Sequence, residues 1–188
     1  LTESKAEGGQ VRSYNYAGGL VGYTNTATIS KSWASNPVVA TYRYAGGLTA
    51  YINNSTVSDC YAEGTVTANN QKAGGFAYQV SGTSQVTHSY ALGVVTGGTY
   101  KNSFIYTGGP AAATTTNKVK AQGTYTGGGA TVLTEAEMKS DVLFITAGFD
   151  FIDTWTPITG QYHKLRWDTD DAEEHDYSYT PPAADAEG

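Results

Sequence analysis

Hydrophobic and polar residues alternate over short stretches along this chain, and no ten-residue segment carries apolar residues at helical spacing. The apolar segments are β-branched or aromatic and are punctuated by glycine, which predicts short strands joined by tight corners. The pattern repeats. Ala17-Gly18-Gly19-Leu20, Ala45-Gly46-Gly47-Leu48 and Ala73-Gly74-Gly75-Phe76 recur every 28 residues, and Phe104 continues the last column. A second block follows each: Thr28–Ala34, Thr56–Ala62 and Gln85–Ala91, spaced by 28 and then 29. Ala6-Glu7-Gly8 and Ala121-Gln122-Gly123 match Ala62-Glu63-Gly64. Residues of about 4–130 therefore hold four to five copies of one unit.

A repeat of this composition fits one coil of a parallel β-solenoid, in which coils stack at about 4.8 Å and equivalent residues form columns. The fold class expected is all-β, a right-handed parallel β-helix. The usual right-handed crossover between parallel strands supports the hand. Leu20, Leu48, Phe76 and Phe104 should form one core column, Ile29, Val57 and Val86 a second, and Ala34, Ala62 and Ala91 a third. Ser32, Cys60 and Ser89 align as small inward residues. Lys31, Asp59 and His88 align as an outward, solvated charge ladder.

The wording Ala-Gly-Gly-Leu-Val-Gly followed by Thr-Ile-Ser and Cys-Tyr-Ala-Glu-Gly-Thr-Val resembles the GLUG repeat of bacterial and some archaeal surface proteins. Gly148-Phe149-Asp150-Phe151, Trp155 and Tyr162-His163-Lys164-Leu165-Arg166-Trp167 resemble the segment that often closes such arrays. Phe149 and His163 depart from its usual wording. The resemblance covers roughly residues 4–167. It implies a solenoid from adhesin-like chains or from non-catalytic regions of secreted proteases, and so an extracellular or cell-surface location.

The expected organisation is a solenoid over 1–130, a cap over 131–167 and an acidic tail over 168–188. Thr134 with Glu137 three residues on reads as a capping box, opening a short helix that runs to about Leu143. Phe144, Phe149, Phe151, Trp155 and Trp167 are apolar material to cover an open solenoid end. Leu1 enters in mid-repeat with no signal peptide before it, so the chain reads as processed or excised.

Charge is low and uneven. Charged residues are 15% of the chain, and the net charge is −6. Residues 168–188 hold eight acids and no Lys or Arg, so residues 1–167 are slightly positive. No basic cluster suits a nucleic acid, and no run of 18 apolar residues spans a membrane. The tail residues Asp168, Asp170, Asp171, Glu173, Glu174 and Asp176 are the candidate assembly segment. They could cross onto a second copy's basic coils in a head-to-tail filament. The same run could hold calcium, but Glu173 stands where a calcium-binding loop needs glycine. No other cofactor or metal is indicated. Asn53-Asn54-Ser55-Thr56 contains overlapping glycosylation sequons.

Catalytic readings are thin. Asp59 and Glu63 are the only acids between Gly8 and Ala130. Cys60 and His88 point to opposite sides of the coil, so they form no thiol–imidazole pair. The chain therefore reads as a non-enzymatic structural or adhesive module. Aromatic columns are its best candidate sites: Trp33, Tyr61 and Tyr90 in one column, Tyr14 and Tyr42 in another, Tyr16 and Tyr44 in a third, and Tyr23 and Tyr51 in a fourth. Read as outward-facing, they form a platform for cell-surface glycan or protein, or stacks that stabilise the solenoid.

Overall fold

A computed structural model describes residues 1–108, 116–122 and 128–169. The chain winds as a right-handed parallel β-solenoid, and each coil carries four short strands. Equivalent strands stack in parallel into four faces. The first face holds Lys5–Ala6, Thr28–Ala34, Thr56–Ala62, Gln85–Thr87 with Tyr90–Ala91, Lys118–Lys120 and Thr131–Leu133. The second holds Val11–Ser13, Val38–Ala40, Val66–Ala68 and Val95–Gly97. The third holds Tyr16–Gly18, Tyr44–Gly46, Lys72–Gly74 and Tyr100–Asn102. The fourth holds Val21–Asn25, Thr49–Asn53, Ala77–Ser81 and Ile105–Gly108.

The 28-residue register is the pairing register. Ile29 pairs with Val57, and Val57 with Val86; Ala34 pairs with Ala62, and Ala62 with Ala91. The Leu20 N–H donates to the Leu48 carbonyl, Leu48 to Phe76 and Phe76 to Phe104. Leu48, Phe76 and Phe104 are fully buried, and Leu20 in the first coil is half-buried. Each buried side chain of this size stabilises by about 2 kcal/mol. The glycine pair sets the corner between the third and fourth faces. A Cβ on Gly46 would lie 2.0 Å from the Thr49 carbonyl oxygen, and one on Gly47 2.0 Å from that of Gly75. Only glycine permits coils to turn this tightly at this spacing.

Two columns bend into the left-handed region, mostly at residues other than glycine. Glu3, Lys31, Asp59 and His88 have φ of 46–53° and sit in the middle of the first face. Thr26 and Asn54 do the same one corner earlier, with Gly82 next in their column. Such a conformation costs a non-glycine residue about 1–2 kcal/mol. It interrupts the backbone ladder, and small inward side chains repair it. The Ser32 hydroxyl donates to the Ser30 carbonyl (2.7 Å) and accepts the Ser4 N–H (3.1 Å). Ser89 donates to Thr87 (2.8 Å) and accepts from Cys60 (3.2 Å), while Asn117 accepts from Ser89 (3.0 Å). At the other corner Ser55 accepts from Ala27 and Ser84 from Ser55, each at 3.0 Å.

The capping box forms. The Thr134 N–H donates to the Glu137 carboxylate (2.8 Å), and the Glu137 N–H donates back to the Thr134 hydroxyl (3.3 Å). It does not open one helix to Leu143 as expected. It opens a 3-10 turn, Glu137–Lys139, and an extended Ser140 separates that turn from the α-helix α1, Asp141–Thr146.

Candidate functional site

From α1 onward the chain runs back along the flank of the coils as a strap over the first face. Its aromatic residues are the expected ones, but they cover the side of the stack. Trp33, Tyr61 and Tyr90 stack coil on coil, with ring centroids 5.4 and 5.0 Å apart and planes within 5°. Trp155 packs over Tyr61 and Tyr90 at 6.1 and 5.6 Å, and Phe144 meets Tyr90 edge-on at 5.9 Å. The Tyr90 hydroxyl donates to the His163 carbonyl. This column points out of the coil, as the alternation requires, yet Tyr61 is 0% exposed and Trp33 5%. It is no open platform, because the strap occupies the face it would have offered. Burial holds the Tyr61 and Tyr90 hydroxyls un-ionised far into the alkaline range.

The strap also meets the residues expected in water. The Lys31 carbonyl accepts the Trp167 indole N–H at 2.7 Å, and the Asp59 carboxylate accepts that of Trp155 at 3.4 Å. His88 meets Phe149 edge-on at 5.8 Å. Lys31, Asp59 and His88 are thus strap-docking points at a backbone kink, and the solvated charge ladder is corrected. Glu63, with Asp59 one of the two acids between Gly8 and Ala130, is bound by Lys164 at 2.6 Å. Cys60 lies fully buried with its thiol 3.0 Å from the Ser58 carbonyl, and burial raises its pKa far above the ordinary thiol value. His163 is buried between the Phe144 and Phe151 rings. A shallow cleft of about 370 Å³ opens where the strap returns to the first coil, lined by Trp33, Lys5, Glu7, Lys164 and Asp168. Its charges already pair: Lys5 holds Glu7 at 3.2 Å and Asp168 at 2.9 Å. No three His, Cys, Asp or Glu side chains among the described residues gather as a metal site would need.

Asp168 therefore bonds to its own chain's first coil. Asp170, Asp171, Glu173, Glu174 and Asp176, with the tail calcium site, lie outside the described residues.

The other tyrosine columns stay open. Tyr14 stacks on Tyr42 at 5.0 Å, Tyr23 on Tyr51 at 5.2 Å, and Tyr16 leans on Tyr44 at 5.4 Å. Tyr44 in turn stacks on Tyr78 at 4.1 Å. Tyr14, Tyr23 and Tyr100 are at least half exposed, and Tyr16 is exposed. The polar and ring contacts of the strap go to the first face, so among the described residues the strap leaves the tyrosines of the third and fourth faces uncovered. Stacking uses the ring faces between coils. What such stacks leave to the outside is ring edges, over two successive coils at Tyr14–Tyr42 and at Tyr23–Tyr51. Sequence reading found Tyr14, Tyr42, Tyr16, Tyr44, Tyr23 and Tyr51; it missed Tyr78, Tyr100 and Tyr106. Tyr100 stands in the Tyr44 column, two coils on, and that spacing could have found it.

The GLUG motif matches residues 41–67, the second coil with its Ala-Gly-Gly corner and the block Thr56–Ala62. The fold is similar to that in a crystal structure of a "putative immunoglobulin A1 protease" from Bacteroides ovatus, with a TM-score of 0.65 and 15% identity. That match covers 88% of this chain and 57% of the other, so the chain spans little more than half the length of that protein. No curated protein matches the chain. Residues 41–67 match the GLUG motif and form one coil of a right-handed parallel β-solenoid whose coils repeat about every 28 residues.

Proposed function

We propose that this chain is a non-catalytic, surface-displayed structural and adhesive module. Its clamped first face stiffens the rod, and its third and fourth faces bind glycan. The observation that carries this reading is the uncovered tyrosine surface around Tyr14, Tyr16, Tyr23 and Tyr100. Tyrosine rings about 5 Å apart on successive coils suit a partner that is itself a repeating polyhydroxylated chain. The residues that could do chemistry are engaged structurally: Cys60 in the core, Asp59 and Glu63 in strap docking. The match of residues 41–67 to the GLUG motif supports display at the cell surface. No helix of the described residues is long and apolar enough to cross a membrane.

A glycan array of the purified chain tests the reading. Tyr16→Ala with Tyr23→Ala should lower the signal about tenfold while costing at most about 1 kcal/mol of stability. Trp33→Ala, buried under the strap, should instead lose about 3 kcal/mol of stability. Absence of any glycan signal, with concentration-dependent self-association in light scattering, would favour a purely self-assembling subunit.

A further inference from the structure

The open surface has a sign. Residues 9–27, 35–55, 64–84 and 93–108, which build the second, third and fourth faces of four coils, contain Arg12, Arg43, Lys72 and Lys101 and no Asp or Glu. That is at most one cation per coil: Lys101 stands in register with the buried Ala73 and Ala45, which leaves Arg12, Arg43 and Lys72 as the cations of the open faces. Both carboxylates of the middle coils, Asp59 and Glu63, lie on the first face and are held by the strap. Arg12 and Arg43 are exposed, and no carboxylate among the described residues pairs with Arg12, Arg43 or Lys72. Lys72 stands in the tyrosine column itself, in register with Tyr44 on one side and Tyr100 on the other. Its ammonium lies 5.8 Å from the Tyr100 ring centre and 5.5 Å from that of Tyr106. Arg43 lies over Tyr42 at 5.6 Å, and the Lys72 N–H donates to the Arg43 carbonyl, so the two cations belong to neighbouring coils.

Cations set among aromatic rings, with no competing acid on the same faces, select an anionic partner. Their density selects further. A densely sulfated chain offers more charge than one cation per coil can meet. A polysaccharide with a single carboxylate on each sugar is matched rung for rung. A guanidinium takes a carboxylate in two parallel hydrogen bonds, and an ammonium takes it as a point charge. Resting on the glycan-binding reading above, we infer that the third face binds a polyuronate, laid along the solenoid axis. Arg43 and Lys72 hold successive carboxylates, and the tyrosine rungs contact the sugar rings.

Calorimetric titration of the whole chain with polygalacturonate, dextran, heparin and poly-L-glutamate tests this. Polygalacturonate should bind best. The Arg43→Gln/Lys72→Gln double variant should weaken it about five- to tenfold. Lys139→Gln, on the strap turn, should leave it unchanged. Raising sodium chloride to about 0.5 M should remove most of the difference between the wild type and the double variant. Dextran bound as well as polygalacturonate, and insensitive to the double variant, would overturn the acidic preference yet keep the glycan-binding reading. Heparin or poly-L-glutamate bound more tightly would overturn the polyuronate in favour of a sulfated chain or an acidic peptide. No binding to any polysaccharide would overturn both readings.

Discussion

Ser89 shows how single residues hold the stack. It follows His88, whose left-handed backbone turns the strand and leaves the next coil edge without a regular ladder partner. Its hydroxyl accepts the Cys60 N–H and donates to the Thr87 carbonyl, so one buried oxygen closes two gaps. Ser89→Ala should strand the Cys60 N–H in the core and cost about 1–3 kcal/mol, read from the denaturant midpoint. Cys60→Ser should cost less than about 1 kcal/mol, because Ser32 and Ser89 already make the same contact in their own coils. A smaller loss from Ser89→Ala than from Cys60→Ser would contradict the ladder. The inward placement of this column was legible in the sequence, but the kink beside it was not. Lys31, Asp59 and His88 share no side-chain chemistry that advertises a left-handed backbone. One clue was present. Ile29 and Ser32 were both read as inward, three residues apart, and an even strand cannot place them so. An extra residue between them was required.

The strap is the element that sequence reasoning placed wrongly. Its aromatic residues were read correctly as covering material. Alternation along Thr28–Ala34 shows which side chains leave the coil, but not whether water or another segment meets them. Trp33, Tyr61 and Tyr90 left the coil as expected and met Trp155 and Phe144. The docking has a built-in pH dependence. Burial lowers the pKa of His163 below its ordinary 6.5, and the Asp141 carboxylate at 3.6 Å from Nδ1 opposes this only partly. The unfolded chain therefore takes up a proton first as pH falls through 6.5. Stability should decline as pH drops below that value, before the acidic side chains begin to titrate. Thermal unfolding between pH 7.5 and 5 reads the slope, and His163→Leu should flatten it. An equal slope in that variant would place the effect elsewhere.

At the scale of the molecule, the repeat made the solenoid and its register readable, because identical residues every 28 positions must stack into columns. The division of labour among its faces was not readable. It depends on where the non-repeating strap, residues 141–169, lies down on the stack. That placement buries one aromatic column, engages the carboxylates of the middle coils, Glu63 with an ammonium and Asp59 with an indole N–H, and leaves tyrosines and cations on the faces beyond. The binding surface is thus defined as much by what the strap covers as by what the repeat presents. Nitration of tyrosines with tetranitromethane, followed by peptide mass spectrometry of the folded chain, tests this most directly. Tyr14, Tyr23 and Tyr100 should be modified first, with Tyr61 and Tyr90 protected until the protein unfolds. Modification of Tyr61 and Tyr90 at the rate of Tyr14 in the native protein would contradict the account, because the strap could not then be seated on the first face.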